Sequence, residues 1–105
     1  MIKNSIIVPV FNGEKHLALV LETLLKGLPE NSEVIVVDDC SSDQSVAIAK
    51  KFPVRVLEEK ANRGPSGARN RGVEEASGEI LIFIDSDVVL EELSLERMLS
   101  ILEDN

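Results

Sequence analysis

Cysteine and histidine are almost absent from the sequence, which contains one of each, Cys40 and His16. A single cysteine forms no internal disulfide and cannot by itself build a zinc site, so a reducing compartment is the natural setting. The spacing of the two residues supports no nucleophile and base pair. We therefore expect Cys40 to be structural and His16 to lie on the surface of the first helix. Trp and Tyr are absent and Phe occurs only three times, so aliphatic side chains must supply the core.

Basic residues are also scarce, with 11 Lys and Arg against 19 Asp and Glu, a formal net charge of −8. This excess of acid excludes nucleic-acid or anionic-membrane binding that depends on electrostatics. The longest apolar runs, residues 5–11 and 80–84, fall far short of the ~18 residues that a membrane span requires. The N-terminus has no signal-peptide pattern. We expect one soluble, cytoplasmic domain over residues 1–105, without a membrane span.

Four short apolar runs rich in β-branched residues predict strands buried on both faces, at residues 6–11, 34–37, 54–57 and 80–84. Helical spacing of apolar residues and helix-start signals predict four helices between and after these strands. The first has Asn12 as a possible cap and Gly27 near its end, the second runs from Ser42 or Asp43 to about Phe52, the third from Ser66 or Gly67 through Ala76 with Gly78 after it, and the fourth follows Ser94.

Alternation of strands and helices predicts an α/β fold, a Rossmann-like parallel sheet of about four strands with helices on both faces. In such a sheet, ligands bind outside the carboxyl ends of the strands. Three of the four predicted strand ends carry polar or acidic residues, and the irregular segment 59–67 is expected to be a functional surface loop.

Asp85 and Asp87 follow the fourth strand two residues apart, so their side chains project toward the same face of extended chain. Paired carboxylates repel each other unless a cation relieves the repulsion, and hard oxygen ligands suit Mg²⁺ or Mn²⁺. Such an ion could bridge the protein to a diphosphate. A solvated turn is the alternative interpretation, and the position directly after an apolar strand favours the metal site.

Asp38 and Asp39 follow the second strand and are adjacent, so they point in opposite directions and only one is expected to face the ligand crevice. That carboxylate could accept a hydrogen bond from a base N–H or a sugar hydroxyl. The alternative is that both residues cap the turn or the next helix. Gly64, Gly67 and Gly72 permit close backbone approach, and Gly67 could leave N–H groups of the third helix free for an anion. All three could equally be turn or packing glycines, which is the favoured role of Gly72.

Several familiar sites are missing. The first strand is not followed by the Gly-x-Gly-x-x-Gly fingerprint of dinucleotide binding, and no P-loop occurs. A phosphatase with an aspartate nucleophile is disfavoured, because residues 88–89 after the Asp-X-Asp are both Val.

Four motifs remain, and they follow one another between residues 5 and 87. They are Ile-Val-Pro-Val-Phe-Asn at 7–12, Val-Asp-Asp-Cys-Ser-Ser-Asp at 37–43, Asn-Arg-Gly at 62–64 with Ala-Arg-Asn-Arg-Gly at 68–72, and Phe-Ile-Asp-Ser-Asp at 83–87. As an ordered set they resemble the family 2 glycosyltransferases. The resemblance implies a GT-A nucleotide-sugar-binding fold and the transfer of a sugar from a UDP- or GDP-sugar donor, with inversion at the anomeric carbon.

The resemblance also implies roles for individual residues. It gives substrate binding to Pro9, Phe11, Asn12, Glu14, Asp39, Arg69, Asp85 and Ser86. Within this set, the residues at 9, 11 and 12 would line the nucleoside pocket, Asp39 would hydrogen-bond the base, and Arg69 would approach the diphosphate. Asp85 and Asp87 would hold Mg²⁺ or Mn²⁺.

The general base of the family lies in a second half that carries the acceptor site, and no segment of this sequence resembles it. We therefore expect a donor-binding half, from a truncated form or a short gene product, with no identified catalytic residue and little transfer by this chain alone. A second hypothesis is a non-catalytic structural fragment that forms homo-oligomers through an exposed sheet edge at the fourth strand.

Overall fold

A computed structural model describes residues 1–86. The predicted fourth helix and Asp87 lie outside these residues. The elements, in chain order, are β1 (Asn4–Val10), α1 (Leu17–Lys26), β2 (Ser32–Asp38), α2 (Ser45–Ala49), β3 (Arg55–Glu58), α3 (Gly64–Glu75) and β4 (Ile80–Phe83). No helix within this part of the chain is long and apolar enough to cross a membrane.

The strands form one sheet in the order β3-β2-β1-β4, and every neighbouring pair is parallel. The chain proceeds from β1 through β2 to β3 on one side and then returns to place β4 on the other side of β1. The loops that follow β1 and β4 therefore lie together at the carboxyl edge, the place where open parallel sheets bind ligands. The predicted α/β fold class is confirmed.

Helices cover both faces, as predicted. On one face, Ile6, Val8 and Val10 of β1 pack with the apolar stripe of α1, including Leu17 and Leu21, and all five are at most 2% exposed. The residues of α2 and its flanks add to this cluster. The alternation of side chains along β1 sends every second residue to this face.

On the other face, α3 packs against Ile7, Ile35 and Val37 through Ala68. A Cβ atom at Gly72 would lie 2.5 Å from Cγ2 of Ile7, so the absence of a side chain lets the helix approach the sheet closely. The packing role predicted for this glycine is confirmed.

The first helix begins later than its predicted cap. Asn12 does not cap α1, because its side-chain oxygen accepts a hydrogen bond from the Ser42 N–H (2.8 Å). The helical hydrogen bonds begin instead at the Gly13 carbonyl, which accepts from the Leu17 N–H (3.0 Å). Gly27 ends the helix, as expected.

The other two helices differ from prediction in length. The helix α2 is short because the N–H groups of Lys51 and Phe52 bond three residues back instead of four, and Pro53 follows. The helix α3 begins at Gly64, before the predicted start, because Pro65 fits the first helical turn, where its missing N–H costs nothing. Four of the nine residues of the loop predicted at 59–67 are therefore helical.

Candidate functional site

A cavity of about 700 Å³ opens at the carboxyl edge of the sheet, beside the loops after β1 and β4 and the first turns of α3. Its lining residues are Pro9, Val10, Phe11, Asn12, Gly13, Lys15, His16, Asp39, Asn62, Gly64, Pro65, Ala68, Arg69, Asp85 and Ser86. The fold thus brings residues from distant parts of the chain together around one space.

Every residue predicted to bind substrate lines this cavity except Glu14. The Glu14 carboxylate instead accepts a long hydrogen bond from the Gln44 N–H (3.4 Å). Asp87 lies outside the described residues. The position of the remaining residues fits their predicted roles, and the roles themselves stay predictions.

Asp39 lines the cavity and is only 3% exposed. Its two carboxylate oxygens accept hydrogen bonds from the N–H groups of Arg63 (2.7 Å) and Gly64 (2.8 Å), at the start of α3. A carboxylate has about four acceptor positions. Asp39 therefore anchors α3 and still has acceptor capacity for a ligand.

Asp38 points to the opposite face, where one carboxylate oxygen accepts from the Ser41 N–H (3.0 Å). Only Asp39 of the pair lines the cavity, as the sequence predicted. The capping alternative also describes part of the geometry, since Asp38 caps the turn after β2 and Asp39 holds the start of α3.

Asp85 presents an exposed carboxylate, with a side chain 62% exposed, and the nearest guanidinium nitrogen of Arg69 lies 3.9 Å away. At this distance the ion pair is loose, and both groups can turn toward a ligand. An exposed carboxylate at the cavity is the oxygen donor that Mg²⁺ or Mn²⁺ prefers, so the residue fits the expected metal. Within residues 1–86, no group of three or more His, Cys, Asp and Glu is placed to hold a metal ion.

Sequence reasoning missed Lys15 and His16, which line the cavity at the start of α1. His16 is at the N-cap position of α1 and is partly exposed, so it lies at the surface of the first helix, as predicted, and it also lines the cavity. Their position shortly after the carboxyl end of β1 was a signal in the sequence that they could line a ligand site. With Arg69 they bring basic groups to a cavity in a chain of net charge −8.

Behind the cavity wall, Glu59 fixes the segment that leads into α3. Its side chain is 7% exposed and lies 3.2 Å from Nε of Arg63 and 3.0 Å from Nε of Arg71.

Hydrogen bonds from Arg71 and then from Arg55 lower the pKa of the Glu75 carboxyl. The same bond to Glu75 raises the pKa of Arg71.

Residues 5–105 match the family model described as glycosyl transferase family 2. The chain belongs to this family. The membership predicted from the four motifs is confirmed, and the family model spans all of them.

Curated relatives of this family include an uncharacterised glycosyltransferase of Haemophilus influenzae, 36% identical over 96% of this chain and 35% of the relative. Another is the poly(ribitol-phosphate) β-N-acetylglucosaminyltransferase TarS of Staphylococcus aureus, 35% identical over 100% of this chain and 20% of the relative. The chain therefore spans about a fifth to a third of the length of these glycosyltransferases.

Solved structures of the family show the same fold. TarS 1–349 in complex with UDP matches 98% of this chain and 32% of its own, with a TM-score of 0.86 and 34% identity. Glucosyl-3-phosphoglycerate synthase of Mycobacterium tuberculosis, in complex with Mn²⁺, UDP and glucosyl-3-phosphoglycerate, matches 80% of this chain and 33% of its own, with a TM-score of 0.72 and 26% identity.

Proposed function

We propose that this chain forms the donor site of an inverting glycosyltransferase and binds a nucleoside diphosphate sugar, with uridine as the base, in the carboxyl-edge cavity. The observation that carries the proposal is the convergence of Phe11, Asn12, Asp39, Arg69 and Asp85 on one cavity. Two similar family 2 structures, TarS and glucosyl-3-phosphoglycerate synthase, are complexes with UDP.

The nucleoside end of the cavity is formed by the residues after β1. Phe11 is 54% exposed, so its ring offers an apolar face to a base, and base stacking on an aromatic ring contributes about 1–3 kcal/mol. Asp39 is held rigidly by two backbone N–H groups, and its free lone pairs accept the N–H of a pyrimidine base.

The diphosphate end is formed by the basic residues and the loop after β4. Arg69 and Lys15 supply positive charge for the phosphate oxygens, and Arg69 can also bind them in a bidentate manner. Asp85 and Asp87 would hold Mg²⁺ or Mn²⁺, as the resemblance implies. When bound, the metal ion neutralises charge that develops on the departing nucleoside diphosphate.

Binding can be tested without transfer, by calorimetric titration of UDP with Mn²⁺ into the chain. Asp39→Asn should weaken UDP binding at least about tenfold, since a lost hydrogen bond to a charged group costs about 1.5–3 kcal/mol. Glu33→Gln is a matched control, because Glu33 also accepts a backbone N–H at an end of α3, from Ser77 (2.7 Å), but does not line the cavity. This control should lose stability and keep its affinity for UDP.

The metal assignment has its own test. Asp85→Ala and Asp87→Ala should remove the gain in UDP affinity that Mn²⁺ gives to the wild type, while Glu22→Ala on the exposed side of α1 should retain it. Absence of saturable UDP binding by the folded wild type would contradict the donor site. Equal Mn²⁺ dependence in all variants would contradict the metal role alone.

A second candidate function is self-association through the sheet edge. Among the described strands β4 is an edge strand, and its residues Leu81 and Phe83 are 37% and 44% exposed. Exposed apolar edges tend to pair with another chain. Light scattering at increasing protein concentration tests this, and a monomeric mass throughout would exclude it.

A further inference from the structure

Two loops beside the cavity are joined by a row of hydrogen bonds for which the predicted roles of the site residues give no reason. Three consecutive N–H groups of the loop after β1 donate to side chains of the loop after β2 and of the first residue of α2. Asn12 donates to Oγ of Ser41 (2.9 Å), Gly13 to Oγ of Ser45 (2.9 Å), and Glu14 to Oδ2 of Asp43 (3.1 Å). The first loop thus depends on the second for its backbone partners.

The bonds also run in the other direction. The Ser42 N–H donates to Oδ1 of Asn12 (2.8 Å), and the Gln44 N–H donates to Oε2 of Glu14 (3.4 Å). Each loop therefore satisfies backbone groups of the other, much as the two partners of a capping box do within one helix. We call these contacts between residues 12–14 and 41–45 the loop lock.

Asp43 is the hub of the loop lock. Its Oδ1 accepts from both the N–H (2.9 Å) and the hydroxyl (2.6 Å) of Ser45, which is 1% exposed. Because the Ser45 hydroxyl gives its proton to Asp43, its lone pairs face the Gly13 N–H. Burial raises the pKa of Asp43, but the hydrogen bonds from Ser45 and Glu14 outweigh it, and the pKa lies below its ordinary value.

The loop lock contains Asn12 and is adjacent to Cys40, two residues with an uncommon backbone conformation. Asn12 and Cys40 have φ angles of 50° and 64°, in the left-handed region that non-glycine residues rarely adopt. Such conformations persist when surrounding contacts impose them. Asn12 itself lines the cavity, as do Phe11 before it and Asp39 before Cys40, whereas Asp43 does not line it.

We propose that Asp43 is a positioning residue for the nucleotide cavity, acting through Ser45 and the 12–14 backbone to fix Phe11 and Asn12 relative to Asp39. The proposal rests on the proposed function for its ligand, UDP. It predicts that Asp43 variants lose nucleotide affinity although Asp43 touches no part of the ligand.

The test combines amide hydrogen exchange by NMR without ligand and UDP titration, on wild type, Asp43→Asn and Ser45→Ala. Asparagine keeps an oxygen for Ser45 and places an amide N–H₂ against the Glu14 N–H. Exchange should therefore rise at Glu14 in Asp43→Asn and at Gly13 in Ser45→Ala, by about tenfold or more, while β1 and β2 amides keep their protection. UDP affinity should fall at least about fivefold in both variants.

Glu22→Gln on the exposed side of α1 is the matched charge control and should match wild type in both measurements. Unchanged exchange at Gly13 and Glu14, or unchanged UDP affinity in folded variants beside a wild type that binds, would overturn the proposal. If wild type itself fails to bind UDP, the donor site fails, and the exchange pattern alone decides whether the loop lock exists. If Ser45→Ala does not fold, Asp43→Asn decides by the same two measurements.

Discussion

On one face of the sheet, α1 and α2 bury a large aliphatic cluster, whereas on the other face α3 contributes only small residues, Ala68 and Gly72, to the buried contact. On the second face, polar contacts add to this smaller apolar cluster. Two carboxylates of the β2 region project to this face at opposite ends of the sheet. Asp39 accepts N–H groups at the start of α3, and Glu33 accepts the Ser77 N–H just after its end.

This difference suggests a division of labour between the faces. Apolar burial is non-directional and supplies most of the folding free energy, while hydrogen bonds fix geometry. The start of α3 forms one wall of the cavity, and directional contacts from Asp39 and Glu59 place it there. We infer that the α1 face sets the stability of the domain and the α3 face sets the shape of the site.

The largest expected effect tests the aliphatic face. Leu21→Ala removes a side chain that is 0% exposed and should lower the free energy of unfolding by about 3 kcal/mol, within the usual range for such cavities. Urea unfolding measures the loss. UDP affinity of the folded fraction should stay within twofold of wild type, and a larger fall would contradict the division between the faces.

A substitution on the other face should change both properties. At Gly72 an alanine Cβ would lie 2.5 Å from Ile7, so α3 must move, at a cost of about 1–3 kcal/mol. Since this helix carries Arg69 and the Gly64 turn, UDP binding should also weaken. Asn70→Ala, at an exposed position of the same helix, is the control. If Gly72→Ala is destabilised but keeps full UDP affinity, the cavity does not depend on how closely α3 packs against the sheet.

A smaller effect on the free energy of unfolding, an increase, is expected at Cys40 in the loop after β2. Cys40 has a φ angle of 64°, a conformation that costs a non-glycine residue about 1–2 kcal/mol. Cys40→Gly should therefore stabilise the domain by roughly 0.5–1 kcal/mol after the entropy cost of glycine. Cys40→Ala removes the thiol but keeps the strain, and it should give no gain. Equal unfolding midpoints for the two variants would contradict the strain.

The smallest effect concerns the partly exposed ion pairs of Glu75 on α3. The pKa of Glu75 lies below its ordinary value of 4.5, chiefly because of its hydrogen bond from Arg71, so its contribution is present above pH 4.5 and is lost as pH falls through the lowered pKa. Glu75→Gln should be slightly less stable than wild type at pH 7, and the gap should close at lower pH. A gap that widens on acidification would contradict this sign.

The sequence predicts the fold well because its strands are continuous apolar runs and its first helix has a regular apolar stripe. It misplaces the start of α1 because the Asn12 side chain is held by Ser42, a contact distant in the chain. It misplaces the start of α3 because Pro65, which fits the first helical turn, was not used as a start signal. The motif residues at the strand ends could be predicted to meet, because the carboxyl ends of parallel strands lie at the same edge of the sheet. The role of Asp43 could not be predicted, since it follows from how two loops pack.

The most direct test of the account is an NMR map of amide chemical shifts on titration of UDP with Mg²⁺ into the chain. Binding in the carboxyl-edge cavity should concentrate the shifts at Phe11, Asn12, Asp39, Gly64 and Asp85, and it should leave the amino edge at Ser5 and Gly78 unchanged. Shifts centred on the amino edge, or none at saturating UDP, would contradict it.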